Sequence, residues 1–188
     1  MRIEIARRFL DATTCAELNA WAVLGVKNKW LDDGISRGQG GYSLRKTSRM
    51  YESRFEYPDI VRKVSEEVRA FCGVGAYPLI EGHGRDGVVV SYTLPGGGVY
   101  AHKDPGGPDG TATLRCNIMT QAADEGCVLH VGGEPVAVGV GDLHCYLVSE
   151  HEHFATQVRG MTPRIMWMFG AHVPADAWNN RQIHFGEH

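Results

Sequence analysis

Two histidines and one aspartate in the second half of the chain have the types and spacing of a metal site. One residue separates His102 from Asp104, and His153 follows 49 residues after Asp104. In an extended strand, residues i and i+2 point to the same side, so His102 and Asp104 can grip one ion while a later strand supplies the third ligand. Two imidazoles and one carboxylate leave other coordination positions open, which suits a non-haem Fe(II) centre.

Three histidines lie at a suitable distance along the chain to be the third ligand. His144 follows the Gly141-Asp142 turn inside an apolar segment, where packing or a hydrogen bond is the more ordinary role for the imidazole. His151 and His153 are two residues apart, so both face the metal if that stretch is extended. An H-x-H pair of this kind is also what a cupin-type site would use.

The composition predicts one globular domain over residues 1–188. The apolar fraction is 43% and the charged fraction 22%, both ordinary for a soluble domain. A net charge of −3 does not favour a nucleic-acid partner. The five cysteines are odd in number and include no C-x-x-C pair, which favours reduced thiols and a cytoplasmic location. No run approaches the ~20 apolar residues that span a bilayer.

Two helices are predicted in the first part of the chain. Thr14 and Glu17 have the spacing of a capping box at the start of the first helix, after a short strand within residues 3–10. The second helix has Pro58 near its start. Its apolar residues recur at helical intervals and form one stripe, made of Ile60, Val61, Val64, Val68 and Phe71.

Beyond these helices the pattern changes to short strands separated by turns. The predicted strands are 88–93, 112–119, 127–131, 136–138, 143–148, 154–158 and 165–173. Helices followed by many strands predict an α+β fold that is mainly β. The expected architecture is a double-stranded β-helix, or jelly roll, with the N-terminal helices packed on one sheet.

The metal motif lies in a longer segment that has the pattern of a known family. Residues 92–104 read YTLPGGGVYAHKD and resemble the Y-x-x-x-G-x-x-x-Y-x-H-x-D region of 2-oxoglutarate/Fe(II)-dependent dioxygenases, especially the prolyl-hydroxylase-like branch. The resemblance continues at 141–143 and over 153–169, while 114–118 and 126–133 are similar to the aspartyl-hydroxylase-like branch. It covers most of residues 8–172, and its register favours His153 over His151 as the distal ligand.

The resemblance implies roles for further side chains and for cofactors. Family members carry a basic residue about ten positions after the distal histidine, which holds the far carboxylate of 2-oxoglutarate; Arg164 lies 11 positions after His153. Tyr92 and Tyr100 are candidates to hydrogen-bond 2-oxoglutarate. Arg115 and Asn117 alternate with apolar neighbours and are candidates for its near carboxylate or for the substrate. The implied cofactors are Fe(II), 2-oxoglutarate and O₂, with ascorbate as a candidate reductant.

The reaction implied by the resemblance is hydroxylation of an unactivated C–H bond, with release of succinate and CO₂. Family halogenases replace the metal carboxylate with a small residue, so Asp104 favours hydroxylation, although desaturation or ring closure stays open. The short chain favours a small molecule, such as an amino acid, or a short peptide. The Gly-rich segment 32–48 is a candidate flap, and Arg45, Lys46, Arg49 and Arg54 form a basic cluster.

Two other classes of protein stay open from the residues alone. One is a cupin-type metalloenzyme that works without 2-oxoglutarate. The other is a β-sandwich binding module in which the histidines are structural. The sequence does not indicate an oligomeric state.

Overall fold

Antiparallel strands make up most of the protein, and helices cover one side. The structure is a computed structural model that describes residues 1–27, 47–49, 57–80 and 88–186. Its helices are α1 (Ala12–Lys27), α2 (Asp59–Phe71) and α3 (Ala175–Asn179). Its strands are β1 (Glu4–Ala6), β2 (Thr47–Arg49), β3 (Val89–Thr93), β4 (Val99–His102), β5 (Ala112–Gln121), β6 (Glu125–Gly126), β7 (Leu129–Val131), β8 (Glu134–Val136), β9 (Leu143–Leu147), β10 (His153–Ala155), β11 (Val158–Arg159) and β12 (Arg164–Val173).

The strands form two main sheets, and the chain passes back and forth between them. The larger sheet has the order β1-β9-β5-β12-β3-β2, and the smaller sheet has the order β4-β10-β7-β8. A separate two-stranded ladder joins β11 to β6. The chain crosses from β9 in the larger sheet to β10 in the smaller one and returns to the larger sheet at β12, as a jelly roll requires. The predicted fold is confirmed.

Alternation along each long strand gives the larger sheet two different faces. In β5, Leu114 and Cys116 join the main hydrophobic core, which the helices cover. Arg115 and Asn117 point the other way, into a cavity. A second apolar cluster fills part of the space between the sheets and contains Leu129, Val131, Val136, Tyr146 and Val148.

The helices are stabilised by their apolar contacts with the larger sheet. In α2, Val61, Val64 and Val68 are buried in the main core at helical spacing, as the sequence pattern predicts. The predicted cap of α1 is wrong by one turn. Its N-terminal capping group is Asp11, whose Oδ1 accepts a hydrogen bond from the Thr14 backbone N–H at 2.7 Å.

Most predicted strands occur with ends shifted by at most two residues. The segment predicted at 154–158 is two short strands, because β10 pairs with the smaller sheet and β11 with β6. The helix α3 was not predicted. Most of the candidate flap and of the basic cluster lies outside the described residues.

All five cysteines are buried as free thiols, which agrees with the expectation from their odd number. None of the helices in the described part of the chain is long and apolar enough to cross a bilayer.

Candidate metal centre

The pairing of β4 with β10 brings the two histidines together. His102 and His153 are directly opposite each other in this antiparallel pair. Asp104 follows the end of β4, and its backbone N–H donates to the Val148 carbonyl at 3.0 Å. That bond ties the carboxylate to the larger sheet, so the three side chains converge between the two sheets.

The three side chains are close enough to bind one ion. The ring centroids of His102 and His153 are 4.3 Å apart, and His102 Nε2 is 3.3 Å from Asp104 Oδ1. Their ligand atoms all lie within 4.8 Å of one another. Donors that share one metal at about 2.1 Å are themselves roughly 3–3.5 Å apart, so only small side-chain adjustments are needed to close this site around an ion.

Backbone contacts orient both imidazoles for metal binding. The Nδ1 of His102 is 2.7 Å from the Tyr100 carbonyl oxygen, and the Nδ1 of His153 is 3.1 Å from the His151 carbonyl oxygen. A carbonyl only accepts, so Nδ1 carries the proton in both rings and the lone pair is on Nε2. Metal-binding histidines are commonly fixed by such outer hydrogen bonds.

The electrostatics of the site favour the metal-binding protonation states. Burial lowers the pKa of His153 to about 4, so its imidazole is neutral near pH 7. Burial raises the pKa of Asp104, but the contact with the His102 imidazole and the nearby Arg115 charge outweigh it and hold this pKa below its usual range. Neutral imidazoles and an ionised carboxylate are the forms that coordinate a divalent ion.

The triad opens into a cavity of about 290 Å³ between the sheets. His102 and Asp104 are at its more exposed end, with side chains 17% and 23% exposed. Arg164 also lines the cavity but is only 1% exposed. Most of the remaining wall is apolar and includes Val89, Val99, Leu129, Phe154, Ala155, Met166 and Met168. This arrangement combines an apolar chamber with polar groups at two ends, as in many small-molecule sites.

Within the described part of the chain, the guanidinium of Arg164 has no carboxylate partner of the kind that a buried charge requires. Its Nη2 donates to the sulfur of Met166 at 3.0 Å, and its Nε and Nη1 have no hydrogen-bond partner among the described residues. It makes no ion pair with a carboxylate in that part of the chain. Burial of an unpaired charge is expensive, and an anionic ligand with a planar carboxylate can supply both missing acceptors.

Arg115 and Asn117 line the same cavity from the neighbouring strand β5. Arg115 Nε is 3.5 Å from Asp104 Oδ2, so the guanidinium lies beside the carboxylate of the candidate metal site. The Oδ1 of Asn117 is buried without a hydrogen-bond partner among the described residues. Both side chains are therefore placed to contact a ligand that extends from the triad toward Arg164.

The two candidate tyrosines are not in the cavity wall. Tyr92 packs against the main core because alternation along β3 turns it away from Ser91, which does line the cavity. Tyr100 is 43% exposed, and its ring is tilted against that of His102, with the ring centroids 5.0 Å apart. The tyrosine that the cavity contains is Tyr146 of β9.

Tyr146 is a site residue that the sequence reasoning missed. It is directly opposite Arg115 across β5 and β9, and its ring is 5.5 Å from that of His153. Burial raises the pKa of Tyr146 above its usual value, so its phenol is a neutral donor. The signal was present in the sequence, because Tyr146 alternates with the apolar residues Leu143, Cys145 and Leu147.

Neither alternative histidine joins the metal cluster. His151 contributes its backbone carbonyl to His153, while its own ring is not part of the three-ligand group. His144 is completely buried, as expected for a packed residue, yet neither of its ring nitrogens has a hydrogen-bond partner among the described residues. The geometry therefore favours His153.

The comparisons with known proteins define the class of fold. No protein-family profile and no curated protein sequence matches this chain. Solved structures do match along most of its length, and they include prolyl hydroxylases and other 2-oxoglutarate-dependent oxygenases. The chain has the double-stranded β-helix fold of this class.

Three of these structures illustrate the similarity. A viral collagen prolyl hydroxylase from Paramecium Bursaria Chlorella virus-1, solved as a 2-oxoglutarate complex, has a TM-score of 0.64 and 15% identity, covering 92% of this chain and 97% of that chain. A Trichoplax adhaerens prolyl hydroxylase, solved with a peptide fragment of hypoxia inducible factor, has a TM-score of 0.67 and 13% identity, with coverages of 90% and 83%. HygX from Streptomyces hygroscopicus, solved with nickel and 2-oxoglutarate, has a TM-score of 0.57 and 12% identity, with coverages of 92% and 83%.

Proposed function

We propose that residues 1–188 form a single dioxygenase domain that depends on 2-oxoglutarate and Fe(II). The proposed reaction is hydroxylation of an unactivated C–H bond, with release of succinate and CO₂. The observation that carries this proposal is the pairing of two features in one cavity. A His-Asp-His triad is at its exposed end, and at its buried end is the guanidinium of Arg164, which has no carboxylate partner among the described residues.

The residues present fit the required cofactors. His102, Asp104 and His153 would hold Fe(II), which supplies O₂ activation when bound. Arg164 would bind the distal carboxylate of 2-oxoglutarate through Nε and Nη1, the two N–H groups that have no acceptor in the described residues. The complexes of two similar folds with 2-oxoglutarate, one of them with nickel, support this assignment. Ascorbate is proposed as the reductant that restores Fe(II).

The remaining polar groups of the cavity orient the co-substrate. Arg115 and Asn117 would contact its near carboxylate or the substrate, since both line the cavity beside the triad. Tyr146 would donate the phenolic hydrogen bond that the sequence assigned to Tyr92 or Tyr100. Arg115 also helps to keep Asp104 ionised through their 3.5 Å contact. Retention of this carboxylate supports hydroxylation rather than halogenation.

The size and lining of the cavity support a small substrate. A volume of about 290 Å³ is at the lower end for ligand pockets, and the co-substrate must share it. We therefore propose an amino acid, another small molecule or one side chain of a short peptide as the substrate. The buried free thiols support a cytoplasmic location.

A turnover screen tests the reaction class and identifies the substrate. Purified protein with Fe(II), ascorbate and 2-oxoglutarate is offered free amino acids, short peptides and nucleosides, and succinate is measured. We expect succinate to form in proportion to one oxidised substrate, and to disappear in the His102→Ala variant. Succinate formation that survives His102→Ala would show that the ligand assignment is wrong.

A further inference from the structure

His144 is a buried polar group that the proposed chemistry does not yet use. It is 0% exposed, and both of its ring nitrogens lack hydrogen-bond partners among the described residues. Buried polar groups in native proteins are nearly always satisfied, because an unmade hydrogen bond costs free energy. The imidazole of His144 is therefore expected to have a partner that is not part of the described chain.

The position of His144 places it next to the buried end of the cavity. Alternation along β9 turns it to the same side as Tyr146, and their rings are nearly parallel at 12° with centroids 6.3 Å apart. Asn117 is directly opposite His144 on β5. Tyr146 and Asn117 both line the cavity, so His144 is immediately beside two wall residues without being part of the wall itself.

Arg164 is close enough to His144 to influence its charge. Burial, and then the positive charge of Arg164, lower the pKa of His144 to about 3. The imidazole is therefore neutral near pH 7 and has one N–H donor. The unsatisfied N–H groups of Arg164 and that of His144 are donors in one buried region. A carboxylate has about four lone-pair sites and can accept from both side chains at once.

We propose that His144 turns toward the cavity when the co-substrate binds and donates a hydrogen bond to its distal carboxylate, beside Arg164. His144 thereby makes the site selective for a dicarboxylic 2-oxo acid over 2-oxo acids that lack the distal carboxylate. This inference rests on the proposed function. The rival partner of His144 is the Oδ1 of Asn117, which is also unsatisfied in the described residues.

The selectivity between two co-substrates distinguishes a hydrogen bond from His144 to the distal carboxylate from a structural hydrogen bond to Asn117. Anaerobic protein with Fe(II) is titrated with 2-oxoglutarate and with 2-oxobutyrate, and Kd is read from the visible charge-transfer band. 2-Oxobutyrate keeps the chelating 2-oxo acid but lacks the distal carboxylate. We expect His144→Leu to weaken 2-oxoglutarate binding by about tenfold or more and to leave 2-oxobutyrate binding unchanged. His144→Gln, which keeps a donor, should recover part of the loss.

A second buried histidine supplies the matched control. His172 is 6% exposed and lies 3.3 Å from the Thr113 hydroxyl, so it already has a partner. His172→Leu should leave the ratio of the two Kd values unchanged. If the ratio of the two Kd values is unchanged in His144→Leu, including the case in which both affinities fall equally, the inference is overturned. His144 would then have a structural role with Asn117 or a water.

A measurement on the wild-type protein does not depend on a variant folding. In the Zn(II)-loaded protein labelled with ¹⁵N-histidine, the imidazole N–H signal of His144 should shift on addition of 2-oxoglutarate and not of 2-oxobutyrate. If neither compound shifts this signal, the proposed hydrogen bond from His144 to the distal carboxylate is refuted. Wild-type protein that shows no charge-transfer band with 2-oxoglutarate refutes the proposed function, whereas a normal wild-type band with unaltered selectivity in His144→Leu refutes only the inference.

Discussion

The two faces of the larger sheet are built from the same strands but differ in the kind of side chain that they bury. On the helix-covered face, Trp167 and Phe169 of β12 are fully buried among apolar side chains. On the cavity face, Arg164 of the same strand is equally buried but has two N–H groups without acceptors in the described residues. The helix-covered face buries mainly apolar groups, although the indole N–H of Trp167 also has no hydrogen-bond partner among the described residues. The cavity face, in contrast, buries a charged group that has no acceptor for two of its N–H groups there.

Along a single strand, one set of side chains therefore contributes mainly to stability and the alternate set mainly to ligand binding. Residues that alternate toward the helices contribute hydrophobic burial, whereas residues that alternate toward the cavity retain polar groups at a cost in stability. Substitutions on the two faces should therefore have opposite consequences, which can be measured independently as unfolding free energy and as ligand affinity.

The largest expected effect is at the exposed end of the cavity. His102→Ala removes one of three metal ligands, and we expect it to abolish succinate formation and to weaken Fe(II) binding. The side chain is partly exposed and is not in the main core, so the far-UV circular dichroism and the thermal midpoint should change little. Loss of the fold in this variant would mean that the cavity face is also structural.

On the helix-covered face, Trp167→Ala should mainly affect stability. The indole is 0% exposed and packs beside Trp21 with ring centroids 5.7 Å apart. Removing a buried aromatic ring of this kind typically costs about 3–5 kcal/mol. Urea denaturation should show that loss, while the protein that remains folded should bind one Fe(II) with unchanged affinity. A large fall in metal affinity would show that the two faces are coupled.

Lowering the pH should reveal the buried imidazole of His144, which has no hydrogen-bond partner among the described residues. The pKa of His144 is about 3 in the folded protein and about 6.5 when unfolded, so the unfolded chain binds the extra proton between these values. Its contribution to stability is fully present above pH 6.5 and is lost as the pH falls. At roughly 1.4 kcal/mol per pH unit, wild type should lose about 2–3 kcal/mol more than His144→Leu between pH 6.5 and 4.5. If wild type and His144→Leu lose the same unfolding free energy between the two pH values, His144 is not a buried, neutral imidazole.

The smallest expected effect on stability, and the most informative in sign, is that of Arg164→Met. Arg164 has no anionic partner among the described residues, and replacing such a buried charge with an apolar side chain removes its desolvation cost. We expect the ligand-free variant to be at least as stable as wild type, and its 2-oxoglutarate Kd to rise by about tenfold or more. A clear loss of stability in the absence of ligand would mean that Arg164 has a partner within the protein.

The sequence predicted the parts of this molecule that depend on local spacing. His102, Asp104 and His153 were predicted to converge because strand periodicity and the family resemblance agreed, and the structure brings them together. The helix α2 could be predicted because its apolar stripe is strong. The tyrosine that lines the cavity could not be predicted, because Tyr92, Tyr100 and Tyr146 all lie in β segments. Only the order of the strands in the sheets shows which of these side chains reaches the cavity. The division of residues 154–158 into two strands depends on pairing with β7 and β6, which are distant in sequence.

The most direct test of the account is an anaerobic titration with Fe(II) and 2-oxoglutarate in wild type and in two matched variants. We expect a weak visible charge-transfer band in wild type and in His151→Ala. We expect no band in His153→Ala, because His153, and not His151, is opposite His102. A wild-type protein without the band, or a band that disappears in His151→Ala and persists in His153→Ala, would contradict the proposed iron site.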